Sequence, residues 1–164
     1  MPRAPRLPQG GEPFRDRPAP VRVRAVDHVG ITVTDLVAAT GFFVSLGLET
    51  EGSAVLEGDF LDTVIGIAGA RTEIVMLRAP GGGTGVELSS FERPEPVPSG
   101  AAPTNQVGLR SLVLEVDDLQ AAVDRVGADG YGLVGGVGQF EGAWSMAYVR
   151  GPDGIIVALA QRLG

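Results

Sequence analysis

Hydrophobic and polar positions alternate over residues 25–33. His28, Gly30 and Thr32 fall on one side and Val29, Ile31 and Val33 on the other, which predicts a half-buried strand. The pattern then changes period. Leu36, Val37, Phe42, Phe43 and Leu46 recur at helical spacing after Thr34 or Asp35, either of which can cap the first turn, and Gly47 stops the run. Strand-like runs follow at about 48–56, 72–78 and 84–90. Between the first two, residues 57–70 hold Phe60, Leu61, Val64 and Ile65 at helix-like spacing, an insert that suits a short lid helix or a dimer contact. Residues 93–107 are rich in Pro, Ser, Gly and Ala and read as a linker. Beyond them the order returns: a strand over 109–116, a helix capped by Asp117 or Asp118 carrying Leu119, Ala122, Val123 and Val126, and strands near 131–138, 145–150 and 155–161. The predicted order is βαβββ, twice.

The return is also visible residue by residue. DHVGITVTDLVAA (27–39) aligns with RSLVLEVDDLQAA (110–122) at a constant offset of 83 without a gap, so His28, the only histidine, has Ser111 as its counterpart. The module ends match too: MLRAPGGGTGVEL (76–88) is similar to YVRGPDGIIVAL (148–159), one residue shorter, and Glu87 falls opposite Ala158. Turn chemistry explains the missing residue. Asp153-Gly154 suits a two-residue hairpin and Gly81-Gly82-Gly83 a three-residue one. Those turns pair Val149 with Ala158 and Leu77 with Glu87. Directly opposed residues share a face, so Glu73 and Ser145 are expected on the face of Glu87 and Ala158. A slip of one residue in a turn would reverse that assignment.

Composition narrows the chemistry. The 164 residues are 44% hydrophobic but only 5% aromatic, so the core must be built from Val, Leu, Ile and Ala. Cysteine is absent, which removes a disulfide framework, a thiol nucleophile and a thiolate metal site. No segment is apolar for long enough to span a bilayer, and no secretory h-region is visible. A cytoplasmic location without membrane association is therefore expected. The net charge of −7 is uneven: residues 1–24 carry six arginines against Glu12 and Asp16, a net of +4, leaving −11 for the rest. An acidic domain repels phosphate backbones, which argues against a nucleic-acid partner. Residues 1–20, dense in Pro and Arg, are expected to be a disordered leader before a first module (21–92), the linker (93–107) and a second module (108–164).

A duplicated βαβββ module that begins DHVGITVTDL and ends GPDGIIVALAQ resembles the vicinal-oxygen-chelate superfamily, and is closest in motif to its glyoxalase–methylmalonyl-CoA epimerase branch. The superfamily also holds extradiol dioxygenases, fosfomycin-resistance enzymes and bleomycin-binding proteins. The resemblance spans residues 25–162. It implies an α+β fold in which two tandem βαβββ modules form a cupped mixed β-sheet with helices outside. A homodimer is also implied, with the cup made inside one chain or exchanged between chains. Metal-dependent members take a His from the first strand and a carboxylate or amide from the last strand of each module. Carried over, the first module keeps His28 and Glu87, whereas Ser111 and Ala158 replace the other pair. The implied cofactor is a divalent metal ion (Mn, Ni, Zn, Co or Fe) on two of four positions, with a metal-free site as the alternative, since serine is a poor ligand and alanine none. EIVMLRAP, starting at Glu73, is similar to the epimerase segment that supplies a catalytic glutamate.

Two functions follow. In the first, the protein is a lyase or isomerase acting on a largely apolar metabolite. Glu73, desolvated in the cup, abstracts a proton next to a carbonyl while His28 and Glu87 polarise the oxygen or shuttle the proton. Thr32, Ser89, Ser111, Trp144, Ser145 and Ala158 then line the substrate. In the second, a metal-free protein sequesters a drug or natural product, as bleomycin-resistance proteins do. The missing second histidine argues against extradiol dioxygenation and against glutathione-linked glyoxalase activity. The expected second-module wall of Ala147, Val149, Ile156, Ala158 and Ala160 is small and apolar, facing the polar groups of the first module.

Overall fold

A computed structural model describes residues 22–164, and the Pro/Arg-rich leader lies outside the described residues. The first module runs β1 (His28–Thr32), α1 (Leu36–Ser45), β2 (Glu49–Glu57), α2 (Asp59–Ile65), β3 (Arg71–Arg78) and β4 (Gly85–Arg93). The second runs β5 (Leu112–Glu115), α3 (Leu119–Ala128), β6 (Gly132–Leu133), β7 (Gly138–Phe140), β8 (Trp144–Arg150) and β9 (Ile156–Arg162). The sheets have matching orders, β1-β4-β3-β2 and β5-β9-β8-β6, with β7 also on β8. In both, the first strand lies parallel beside the last. Two tandem modules, each a mixed sheet backed by helices, make the α+β fold that the resemblance implies.

The helix starts are alike because the same residue begins them. Asp35 Oδ1 accepts from Ala38 N, and Asp118 Oδ1 accepts from Ala121 N, both at 2.9 Å, which satisfies one free amide in each first turn. In α1, Leu36, Ala39, Phe42 and Phe43 form the buried stripe, while Val37 faces solvent. The 57–70 insert contains the short helix α2, which buries Leu61 and leaves Phe60 and Val64 exposed. The expected strand at 131–138 is broken into β6 and β7, because Gly135 and Gly136 interrupt the ladder.

The helix sides of both sheets share one core, in which Leu77, Leu88, Val149, Val157 and Leu159 pack with Phe42 and Phe43. Phe42 crosses the seam between modules: its ring meets Phe43 and Tyr131 edge-on at 5.2 and 5.1 Å. Gly151 lies beneath it, and a β-carbon there would stand 2.8 Å from two ring carbons of Phe42. Gly151→Ala is therefore expected to cost about 1–3 kcal/mol by overpacking, read as a lower denaturant midpoint at constant slope. Polar bonds fix the same seam, since Asp153 accepts from Thr34 N at 2.8 Å and Thr34 Oγ1 at 2.5 Å.

The hairpins correct the predicted register. Met76, not Leu77, opposes Glu87, and Tyr148, not Val149, opposes Ala158. The connections, 79–84 and 151–155, keep the one-residue difference in length, but both are longer than a tight turn. The first folds through a turn closed by Gly82 N to Ala79 O. The second turns through Asp153 and Gly154, both at positive φ (53° and 76°), and is closed by Ile155 N to Pro152 O. The slip has the same sense in both modules, so counterparts between modules survive while every residue of β3 and β8 changes face. Arg78 and Arg150 end equivalent strands, and each donates through Nη1 to a carbonyl of its own hairpin, Gly83 and Gly154 respectively.

Candidate functional site

Each sheet has a helix-covered side and an open side. On β1 the open side is that of His28, Gly30 and Thr32, because Val29, Ile31 and Val33 turn toward the core. The parallel register sets Gly30 beside Glu87 and Thr32 beside Ser89, so all five polar or glycine positions share one face. His28 and Glu87 are thus brought together as expected. Nε2 of His28 stands 3.9 Å from Oε2 of Glu87, an ion-pair distance beyond hydrogen-bond reach. Both side chains are partly exposed, at 37% and 27%. Thr32 Oγ1 and Ser89 Oγ are joined at 3.2 Å. Gly30 lies between these pairs, and a β-carbon built on it would meet nothing within 4 Å, so the floor of the site is open.

Asp27 was not foreseen. Its Oδ2 is 2.8 Å from His28 Nδ1. An ionised carboxylate only accepts, so Nδ1 carries the proton and Nε2 is the nitrogen turned toward Glu87. The hydrogen bond from His28, then its charge, and more weakly the charge of Arg78, hold the Asp27 carboxyl below its ordinary value. The sequence signal was adjacency alone. Asp27 lies just ahead of β1, its carbonyl accepting from Gly85 N at 2.8 Å, and its carboxylate reaches along the chain to the neighbouring imidazole.

Two of the expected residues lie elsewhere. Glu73 pairs with Ser90 and shares the side of Val75 and Leu77, where it is exposed at the end of the helix-covered face. It is on the opposite side of the sheet from Glu87 and does not join His28. Ser145 pairs with Gln161 and is buried on the helix side of the second sheet, with Ala147 and Val149. Both corrections follow from the hairpin slip, which brings Thr72, Ile74 and Met76, and likewise Trp144, Met146 and Tyr148, to the open faces.

The second module repeats the backbone of the site without its donors. Val113 pairs with Ala158 as Gly30 pairs with Glu87, which confirms Ala158 as the counterpart of Glu87 and places Ser111 at the position of His28. Ala158 is fully buried between its neighbours. Met146, Ile156 and Ala160 complete a mostly apolar wall on which Tyr148 supplies an unforeseen hydroxyl. Trp144 is on this face, with the Arg162 guanidinium 4.6 Å from its ring centre. Arg162 also meets Glu115 at 3.4 Å.

The donor set was tested against the divalent metal that the resemblance implies. His28 Nε2 and the Glu87 carboxylate can both ligate, but no group of three or more His, Cys, Asp or Glu side chains is assembled among the described residues. Two protein donors do not make up the ligand number of Zn²⁺ or Mn²⁺ sites. The residues present do not fit the four-ligand site.

Residues 25–159 match the family described as the Glyoxalase/Bleomycin resistance protein/Dioxygenase superfamily. A glyoxalase family protein from Bacillus cereus is similar with a TM-score of 0.86 and 35% identity, over 90% of this chain and 100% of that one. The trypanothione-dependent glyoxalase I of Leishmania major superposes at a TM-score of 0.59 with 18% identity, over 85% of this chain and 87% of that one. A fosfomycin resistance protein from Listeria monocytogenes, complexed with Mn(II) and sulfate, does so at 0.55 with 12% identity, over 85% and 93%. The last two likenesses are of fold alone. No curated protein matches the chain. Among the described residues no helix is long and apolar enough to cross a membrane. The duplicated modules, the matched span and the Bacillus cereus relative together show that the chain belongs to the glyoxalase/bleomycin resistance protein/dioxygenase superfamily.

Proposed function

We propose that the protein is a small-molecule enzyme of the lyase or isomerase kind that moves a proton next to a carbonyl in a largely apolar metabolite. The observation that carries this reading is the line Asp27–His28–Glu87 on the open face of the first sheet. Asp27 fixes the tautomer, so the lone pair of His28 Nε2 is free to take a proton from carbon. The C–H electron pair moves into the carbonyl, and the developing oxyanion needs a donor. The linked hydroxyls of Thr32 and Ser89 supply one across the open floor at Gly30. The imidazolium that forms lies between the carboxylates of Asp27 and Glu87. Proton return to the same or the adjacent carbon completes an isomerisation. Glu73 has no part in this reading, because it lies on the other side of the sheet. The proposal includes a homodimer, as the resemblance implies, and a cytoplasmic location.

The test is hydrogen–deuterium exchange. A panel of ketones and 2-hydroxy aldehydes in D₂O, followed by NMR, is expected to show enzyme-dependent loss of the α-proton signal. Glu87→Gln is expected to slow that exchange by about 10–100-fold. Equal exchange in both proteins, or none with any member of the panel, overturns the proposal. The second reading, sequestration of a natural product, is favoured by one observation: the second module offers an apolar wall of Met146, Ile156, Ala158 and Ala160, with Ala158 at the position that Glu87 holds in the first.

A further inference from the structure

A cavity of about 390 Å³ lies between the two modules, at the seam rather than over the His28–Glu87 pair. One wall is the edge of β1 from Val29 to Thr32, and the opposite wall is Arg110–Leu112 with the start of β9. Linker residues including Ser99, Ala102 and Gln106 also line it. Its size lies within the range that encloses small organic ligands. β1 and β5 are both end strands of their sheets, each hydrogen-bonded on one side only. Their free edges therefore turn unpaired backbone donors and acceptors toward this space.

Arg110 is the cation of the cavity, and it is under-used. Its Nε is buried and has no hydrogen-bond partner among the described residues. Arginines elsewhere are engaged: Arg71 and Arg78 meet Glu92 and Glu51 at 2.6 and 2.7 Å, and Arg150 donates to the carbonyls of Ala102 and Gly154. The acidic residue lining the cavity, Asp153, uses both carboxylate oxygens on Thr34. A buried guanidinium donor without a partner is costly, and folded proteins seldom retain one without a use. The planar fork of a guanidinium matches an oxyanion in shape as well as in charge. Ser111 and Gln106 add a hydroxyl and an amide to the same walls, and Ile31, Ile155 and Ile156 are apolar.

We propose that the seam cavity binds an organic oxyanion, with its carboxylate or phosphate on Arg110 and its carbon body along β1 toward Gly30. Gly30 lines this cavity and also pairs with Glu87, so a ligand anchored on Arg110 points its far end at the His28–Glu87 pair. This deepens the functional reading above, on which the pointing rests, by naming the ligand class. The anchoring itself stands on the cavity and on Arg110 alone.

The test reads binding, not turnover, on the full chain. Hexanoate, hexyl phosphate, inorganic phosphate and the neutral hexanamide are titrated by calorimetry and by thermal shift. Hexanoate or hexyl phosphate is expected to bind at least about tenfold more tightly than hexanamide. Preference between those two identifies carboxylate or phosphate as the partner, and binding of inorganic phosphate alone overturns the role of the carbon body. Arg110→Gln is expected to remove the preference and Glu73→Gln, on the other side of the first sheet, to leave it intact. Equal binding of hexanamide, an unchanged preference in Arg110→Gln, or no binding of any probe overturns the proposal. Should Arg110→Gln fail to fold, Arg110→Lys, which keeps the charge, must still bind hexanoate or hexyl phosphate more tightly than hexanamide, and loss of that preference overturns the proposal. Selective anion binding with no proton exchange on any carbonyl sinks the catalytic reading alone, and exchange without anion selectivity sinks this one alone.

Discussion

Phe42→Ala is expected to destabilise the fold by about 3–5 kcal/mol, roughly a fifth or more of the stability of an ordinary domain. The ring is 2% exposed and is surrounded on both sides of the module seam, by Phe43 within α1 and by Tyr131 and Gly151 across it. Removing it forfeits the transfer energy of a large apolar group and leaves a void between two sheets that cannot both collapse onto it. Urea unfolding followed by circular dichroism measures the loss as a lower midpoint. The double variant sharpens the assignment. Gly151→Ala is costly only because the Phe42 ring occupies the space its methyl group needs, so in the Phe42→Ala background the same change should be nearly neutral. Full additivity of the two losses would show that Phe42 and Gly151 do not meet.

Much of this architecture is written in the repeat at an offset of 83. It places Asp35 and Asp118 at equivalent helix starts and aligns β1 with β5, because both are local features that the pattern states directly. The pairing of Glu87 with Ala158 as counterparts was legible for a related reason, since matching errors in two similar hairpins cancel. The faces of β3 and β8 were not legible. Their assignment rested on the centre of each turn, and a shift of one residue in pairing carries a side chain through the sheet. Glu73 and Ser145 moved to the helix side for that reason alone, while Met76 and Tyr148 took the places beside Glu87 and Ala158. Asp153-Gly154 does take the two positive-φ positions foreseen for a turn, but Pro152 has no N–H to give the ladder, and the pairing closes instead between Gly151 N and Ile155 O. Arg110 was invisible for another reason. Its significance depends on the seam that its neighbours enclose, and no local pattern describes a space between modules.

The largest expected effect on chemistry belongs to His28. His28→Gln removes the one side chain on the open face of the first sheet that can take up and release a proton at Nε2, and should slow α-proton exchange by about 10²–10⁴-fold. The fold should be unaffected, since His28 is partly exposed and its contacts are to the exposed Asp27 and the half-buried Glu87. Asp27→Asn separates orientation from proton uptake. An asparagine can offer Nδ1 either its carbonyl or its amide, so the tautomer is no longer fixed, and a loss of about tenfold is expected. The pH dependence has a definite sign. The Asp27 carboxyl is held below its ordinary 3.8, so its contact with His28 is complete above that value and is lost as pH falls through the lowered one. Across the neutral range the contact is intact, so Asp27 contributes no acid limb to the rate above pH 5. Exchange rates measured from pH 5 to 9 in the native protein, His28→Gln, Asp27→Asn and Glu87→Gln assign the base. An acid limb that persists in Glu87→Gln and disappears in His28→Gln identifies the imidazole as the base, whereas one lost in Glu87→Gln transfers that role to the carboxylate.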